Sequence, residues 1–412
     1  MKIFMRILAA SASILWASAA YADKEPIVFA SLQDMTKAYT FLMVEVSQGQ
    51  QDYIAALNAD GGIDGHPVRL IVRDHGNEPQ RGIEAYNRAV GEGAVMVNIG
   101  SSPVSGALIT RVEEDKVPMM TLSVGRPEAS DGTVFNYSFP AGPTHWSQIA
   151  ALFDYIDKHE GGLEGKKIAV VHIDHPGGRA MLTIPERLAE TKDFEVRGFG
   201  YPSPGTEQSA VWTEVRRMRP DFVVLGGAGV GQPVSIREAV RNGISPTQLL
   251  SAPWLAETDM EAVGTSVAIG IKRVELAAPG TDHPIIANII DKVIEPGNGA
   301  GDLKNVGRSY YNLGVGSMTL AVEGARLALE EFGAPLTGEK LKQGLEMVKD
   351  FDAQGLIPPF TFTAEDHQGG GNTRISEWDG ESWVPKTEWT SSYQDIVWEE
   401  IKKASDAFRK GG

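Results

Sequence analysis

Three clusters in this 412-residue chain hold side chains whose types and spacing could do chemistry. The first is His172-Ile173-Asp174-His175. Imidazole and carboxylate at short spacing are ligands for zinc and other transition metals, which take four ligands or three and a water. If the strand continues through the cluster, residues 172 and 174 share a face and His175 turns away. Two ligands then converge with no third nearby, so no metal site is expected. The second is Gly227-Ala228-Gly229-Val230-Gly231, which follows a strand and precedes a helix. A dinucleotide fingerprint reads G-x-G-x-x-G, whereas Gln232 or Val234 stands here in the place of the last glycine. Nucleotide is not expected, and small residues at this point let a ligand or another part of the fold approach closely. The third is Ser101-Ser102, placed between a strand and a helix. Unpaired N–H groups at a helix start, together with serine hydroxyls, favour an anion. No nucleophile elbow, H-E-x-x-H or Walker loop is present. No nucleophile, base and orienting group can be assembled, so catalysis and a cofactor are not expected.

Composition narrows the classes further. The chain has no cysteine, which excludes disulfides, thiolate metal sites, iron–sulfur ligation and thiol lipid anchors. The formal net charge is -16, which argues against a nucleic-acid partner. Lys2 and Arg6 precede the mostly apolar run Ile7 to Ala17, and Ala20-Tyr21-Ala22 has the form of a cleavage site. Residues 1–22 therefore read as a signal peptide, with Asp23 as the new N-terminus. The run is too short to span a bilayer, which needs about 20 residues. The expected product is exported to the periplasm, is not embedded in the membrane, and is a monomer.

Elements of alternating type must position the three clusters. Ile27 to Leu32 reads as a buried strand, and Met43, Val46, Gln50, Tyr53, Ile54 and Leu57 fall at helical spacing. Strands follow at Val68 to Val72, Val95 to Ile99 and Val117 to Leu122, with helices between them. Phe139-Pro140-Ala141-Gly142-Pro143 interrupts the rhythm. It restarts with strands at Lys167 to Ile173, near Val196, at Phe222 to Leu225 and at Leu249-Leu250. Pro279-Gly280 marks a second break, before long helical patterns at 285–294, 313–329 and 341–348. Short strands at Phe360 to Thr363, Thr373 to Trp378 and Ser382 to Val384 close the pattern, the last two joined by an Asp379-Gly380 hairpin turn. Repeated β-α units with short joins predict parallel sheets covered on both faces, here as two α/β lobes.

Three stretches together resemble the type I periplasmic solute-binding proteins of ABC importers, in the branch of the Leu/Ile/Val-binding proteins. They are Leu57-Asn58-Ala59-Asp60-Gly61-Gly62-Ile63-Asp64-Gly65 with Asp74 after the next strand; Ile99-Gly100-Ser101-Ser102 with Val117-Pro118-Met119-Met120 and Ser123; and the two Pro/Gly-rich breaks. The resemblance implies two doubly wound lobes, 23–141 plus 279–356 and 142–278 plus 357–412. It also implies a three-strand hinge and a ligand held in the cleft as the lobes close. It implies partnership with an ABC importer permease and ATPase. The same fold also serves sensing, with the solute presented to a receptor; an exported α/β enzyme is the remaining alternative. By the same resemblance, the loop at Ser101 and Ser102 holds the ligand carboxylate. Ser123, Val124, Gly125 and Arg126 follow the next strand at the cleft, with glycine at 125 where the family usually has a hydroxyl. Tyr39 and Phe41 sit in the loop after the first strand, Asp174 and His175 line the second lobe, and Tyr310 or Tyr311 faces the cleft. Ala228, Gly229 and Trp254 stand where amino-acid binders place an aromatic ring and a carboxylate for the ligand ammonium. No acid aligns with that ammonium partner, although Glu257 and Asp259 are close. A buried ammonium without a partner is costly, so the expected ligand is a carboxylate without an α-amino group, an aromatic acid above all, with branched-chain amino acids the competing class.

Overall fold

The computed structural model describes residues 24–411. The signal-peptide reading of residues 1–22 lies outside them. Among the described residues twelve strands form two sheets. The first lies in β1 (Ile27–Gln33), β2 (Val68–Asp74), β3 (Met96–Ile99), β4 (Met119–Met120) and β5 (Ser138–Phe139), in the order β2-β1-β3-β4-β5, all parallel. The second holds β6 (Lys167–Ile173), β7 (Glu195–Tyr201), β8 (Phe222–Gly226), β9 (Leu249–Ser251), β10 (Lys272–Glu275), β11 (Arg374–Trp378) and β12 (Trp383–Pro385). Its order is β12-β11-β10-β9-β8-β6-β7, parallel from β7 to β10 and antiparallel at β11 and β12. This is a doubly wound α/β architecture in two sheets, as the repeated β-α units predict.

Burial on both faces explains the near-continuous apolar strands. Every residue of β1 and of β8 is buried, as is every residue of β6 after Lys167. The chain passes from one sheet to the other after β5. After β10 it returns to the first, where the helix Ser309–Phe332 packs along the helix Thr40–Ala59. It re-enters the second sheet at β11. The C-terminal helix Gln394–Arg409 touches both units. Val397 and Ile401 join the core around Leu152, Phe153 and Ile168, while Lys402 and Ser405 donate to Asp131 and Phe408 packs tilted against Phe135, ring centres 4.7 Å apart.

Several elements differ from the sequence reading, each for a local reason. The strand expected over 117–122 shrinks to Met119–Met120, because Leu122 and Ser123 have φ of 51° and 63° and leave the β region. Phe360 to Thr363 is not a strand; Phe360 pairs in one isolated bridge with Phe351, after two prolines that lack N–H donors. The helix around Met181 to Ala189 is broken into a turn at Ala180–Leu182 and a helix at Thr183–Ala189. Phe41 is not in a loop but in the first turn of the helix Thr40–Ala59. β10 and the C-terminal helix have no counterpart in the sequence reading.

Candidate functional site: a cavity between the two sheets

The carboxyl ends of the strands in both sheets meet around one cavity, the place where open α/β sheets hold ligands. Its empty volume is about 640 Å³, open solvent at the mouth included. Ligand sites of roughly 300–1,000 Å³ are common. Tyr39, Leu42 and Met43 enter from the segment after β1. Gly100, Ser101, Ser102 and Pro103 follow β3, and Val124 follows β4. The other wall is made by Ile173 at the end of β6 with His175, Gly177, Gly178 and Met181 beyond it, by Gly226 at the end of β8 with Gly227 and Ala228 beyond it, and by Trp254 after β9. His145, at the start of the helix His145–His159, stands at the crossing between the two.

The first wall is pinned by polar bonds. Ser101 caps the helix Ser102–Asp115: its Oγ accepts from Val104 N at 3.3 Å and donates to Asn77 Oδ1 at 2.7 Å. That hydroxyl hydrogen is spent on structure. Ser102 Oγ accepts from Gly125 N at 3.1 Å, and its own hydrogen meets no acceptor among the described residues. Gly100 N donates to Gln33 Oε1 at 2.9 Å. The loop before Tyr39 is held by Asp34, which accepts from the N–H groups of Thr36, Lys37 and Tyr39. It is held also by Asp74, which accepts from Met35 N and Thr36 Oγ1. Burial, then the charge of Asp34, pushes the Tyr39 phenol up, so it stays a donor.

The second wall is plainer. Glycines admit close packing: a Cβ on Gly227 would collide with the Tyr201 hydroxyl. Trp254 is buried, and its carbonyl accepts from Gln232 Nε2 at 3.2 Å. His175 Nδ1 accepts from Gly178 N at 3.1 Å. Burial pushes the His175 imidazole below its ordinary range, with the charges of His172 and Arg179 acting in the same direction. Burial also lowers His145. No Asp, Glu, Lys or Arg lines the cavity among the described residues.

The structure thus brings Tyr39, Ser101, Ser102, Val124, His175, Ala228 and Trp254 to one cavity. The remaining expected residues lie elsewhere. Ser123 is buried, with its carbonyl bonded to Gln148 Nε2 at 3.1 Å. Gly125 serves through its N–H to Ser102, behind the wall. Arg126 pairs with Glu128 at 2.6 Å and lies 4.9 Å over the Phe408 ring. Asp174 is exposed and paired with Arg179, because β6 ends at Ile173 and the chain turns outward. Among the described residues no group of His, Asp and Glu is arranged to hold a metal ion. Gly229 abuts the Phe41 ring, where the two units touch. Phe41 in turn meets Tyr310 edge-on at 6.4 Å. Tyr310 lines a smaller adjoining hollow with Arg273 and Glu275, while Tyr311 turns into the core and donates to Asp52. Glu257 accepts from Ser309 Oγ at 2.7 Å and Asp259 from Ala256 N at 2.8 Å, so both are engaged away from the cavity. His145, Met43 and Met181 line the cavity without having been singled out by sequence. His145 follows the Pro/Gly-rich break, and a histidine beside a crossover was the available signal.

Comparison with known proteins places this geometry. The family described as periplasmic binding protein matches residues 26–382. A solved structure described as an ABC transporter permease from the Pseudomonas fluorescens group is 34% identical. Its TM-score is 0.87, over 94% of this chain and 97% of the other. A Leu/Ile/Val-binding protein homolog 3 of Brucella melitensis is 26% identical over 265 residues, 64% of this chain and 70% of that protein. A branched-chain amino acid ABC transporter protein of Thermus thermophilus, solved with bound valine, shares the fold. It has 19% identity and a TM-score of 0.77, over 92% of this chain and 98% of the other.

Proposed function

The chain belongs to the periplasmic binding protein family and is an ABC-transporter substrate-binding protein of the branched-chain amino acid type; on that premise we propose that its solute is a small carboxylate without an α-amino group. The observation that carries this reading is the lining of the cavity. Donors for a carboxylate stand at the start of the helix Ser102–Asp115, where Ser102 keeps a free hydroxyl hydrogen. Among the described residues no carboxylate faces the cavity to receive an ammonium. An α-amino group held there would be buried without its partner, and that is costly. Trp254, Met43, Met181 and Leu42 offer an apolar wall to an aromatic or branched body.

In this reading 23–141 with 279–356 moves as one body against 142–278 with 357–412. A ligand that touches both walls stabilises the closed arrangement. The closed protein then delivers the solute to a membrane permease and its ATPase from the periplasm. Among the described residues no helix is long and apolar enough to cross a membrane.

Thermal-shift titration of residues 23–412 tests the ligand class. Benzoate and 4-methylpentanoate are set against leucine and valine. A ligand that binds the folded state alone stabilises it by about 2.7 kcal/mol at a hundredfold excess over its dissociation constant. A shift with the amine-free acids and none with the amino acids is expected. The reverse pattern overturns the reading.

A further inference from the structure

Among the described residues no fixed charge lines the cavity, yet the proposed ligand is an anion. Among the described lining residues, His145 and His175 are the side chains able to become cations near neutral pH. They come from different elements, the helix after the crossing and the turn after β6. Hydrogen bonding fixes their tautomers. Gln148 spends its Nε2 on the carbonyls of Pro143 and Ser123, at 2.7 and 3.1 Å. Its Oε1 is therefore the acceptor that faces His145 Nδ1 at 3.4 Å. His145 then carries its hydrogen on Nδ1 and leaves Nε2 bare. His175 is the opposite case. Its Nδ1 accepts from Gly178 N, so the neutral ring carries its hydrogen on Nε2. Protonating His175 breaks a hydrogen bond, whereas protonating His145 breaks none.

We infer that the protein takes up its carboxylate together with a proton, which His145 Nε2 accepts while His175 donates a neutral hydrogen bond. The inference rests on the amine-free carboxylate reading of the same cavity. The balance is one carboxylate anion and one solvent proton entering, and one imidazolium–carboxylate pair formed. The groups that face the two rings are few. His172 and Arg179 stand beside His175, with Arg179 paired to the exposed Asp174. Gln148 and His175 stand beside His145. The cavity also presents the Tyr39 phenol and Ser102 from the first wall and Met181 and Trp254 from the second. Without an anion, burial keeps both rings neutral. A carboxylate supplies the absent counter-charge and makes the cation favourable. The wall thereby rejects a fixed ammonium and accepts an acid, with no permanent charge buried in the empty cleft.

The test is isothermal titration of residues 23–412 with benzoate, at one pH near 7.5, in buffers of different ionisation enthalpy. Net uptake approaching one proton per benzoate is expected, with affinity rising up to about tenfold for each unit of acidification over the linked range. Benzamide, the neutral isostere, is the control and takes up none. His145→Gln is expected to abolish the uptake and flatten the pH dependence. Imidazole nitrogen NMR of the unaltered protein gives a second readout if that variant fails to fold; one ring is expected to become an imidazolium when benzoate is added. Benzoate binding with no proton uptake, or uptake kept in His145→Gln, overturns the inference while leaving the carboxylate reading intact. Heat from leucine and none from benzoate or 4-methylpentanoate overturns the carboxylate reading, and this inference with it.

Discussion

The two walls of the cavity are built on different principles. The wall from the first sheet is a set of polar groups already committed to one another: Ser101 to Asn77 and Val104, Ser102 to Gly125, Gly100 to Gln33, Tyr39 to Asp34. The wall from the second sheet is shape, with glycine turns, Met181, Ala228 and Trp254, and two imidazoles as its polar content with His145 counted in. A wall locked by hydrogen bonds presents its donors without reorganising when a ligand arrives. A wall of small and apolar groups selects by volume and excludes charge. Under the proposed reading, the first would recognise a carboxylate in general, and the second would decide which body may carry it. In that reading, discrimination between ligand bodies belongs to the second sheet.

The largest effect is expected where the two units meet. Glu45 lies one turn beyond Phe41 on the helix Thr40–Ala59 and is 4% exposed, with its Oε2 buried and without a partner. Burial, then the charges of Glu257, Asp259 and Glu261, pushes its carboxyl up to about 8 from an ordinary 4.5; Arg308 opposes them. The folded state thus favours the protonated acid. Its stabilising contribution is full below pH 4.5 and is lost as pH rises through about 8. Glu45→Gln should match the parent at pH 4 and exceed it at pH 8, by an amount on the order of a few kcal/mol. Denaturant melts across that range decide the matter, and a parallel loss in both proteins would place the charge elsewhere.

Glycine substitutions separate the walls next. A Cβ at Gly178 meets the backbone oxygen of Ile173, which cannot move without shifting β6. A Cβ at Gly100 meets the flexible end of Met43, although Gln33 Oε1 is also near at 2.7 Å. Gly178→Ala should cost about 1–3 kcal/mol of stability as an overpacked site. Gly100→Ala should cost less and act mainly on ligand affinity, through the displaced methionine. Equal melting losses would mean that the walls are equally rigid.

The same contrast explains what could be read from the sequence. The parallel strands were legible because burial on both faces writes apolar runs, as in Ile168 to Val171 and Phe222 to Leu225. β10 was not, since its residues are Lys272, Arg273, Val274 and Glu275. Its charges are buried in pairs formed by distant residues: Lys272 with Glu160 and Glu377, Glu275 with Arg374, and Arg273 with the Leu255 carbonyl and Ser309. Such partners have no local signature. The C-terminal helix does carry one, in Val397, Ile401 and Phe408 at helical spacing. Position beyond a strand end located Ser101, Ser102, His175, Ala228 and Trp254. It did not locate Met43 or Met181, whose apolar side chains look the same in a core as in a cavity wall. Arg126 and Asp174 were drawn toward the cleft by their loops, yet their partners Glu128 and Arg179 lie two and five residues on and hold them away.

A cap is worth less than a backbone clash. Ser101→Ala removes the acceptor for Val104 N and the half-buried bond to Asn77, so a loss of about 1 kcal/mol is expected in denaturant melts. Benzoate affinity should change little, because the Ser101 hydroxyl hydrogen is already committed. Ser102→Ala should behave in the opposite way, with a small change in melting and a clear loss of benzoate affinity. Exchanged outcomes would move the anion contact from Ser102 to Ser101.

The smallest effect is expected at Asp174, the acid nearest the second wall. Its pair with Arg179 is more than half exposed on both sides, and exposed pairs are worth about 0–1 kcal/mol. Asp174→Asn should therefore leave the melting curve nearly unchanged. Its influence on the site is electrostatic and indirect, since its charge favours the protonated form of His175 while Arg179 and His172 oppose it. Removing the acid leaves Arg179 unpaired beside the cavity. The unbalanced cation should hold His175 still more firmly neutral, and should draw a carboxylate slightly closer. A modest, salt-sensitive gain in benzoate affinity is expected, fading as ionic strength rises. A large loss would instead show that Asp174 touches the ligand, and that the second wall reads charge as well as shape.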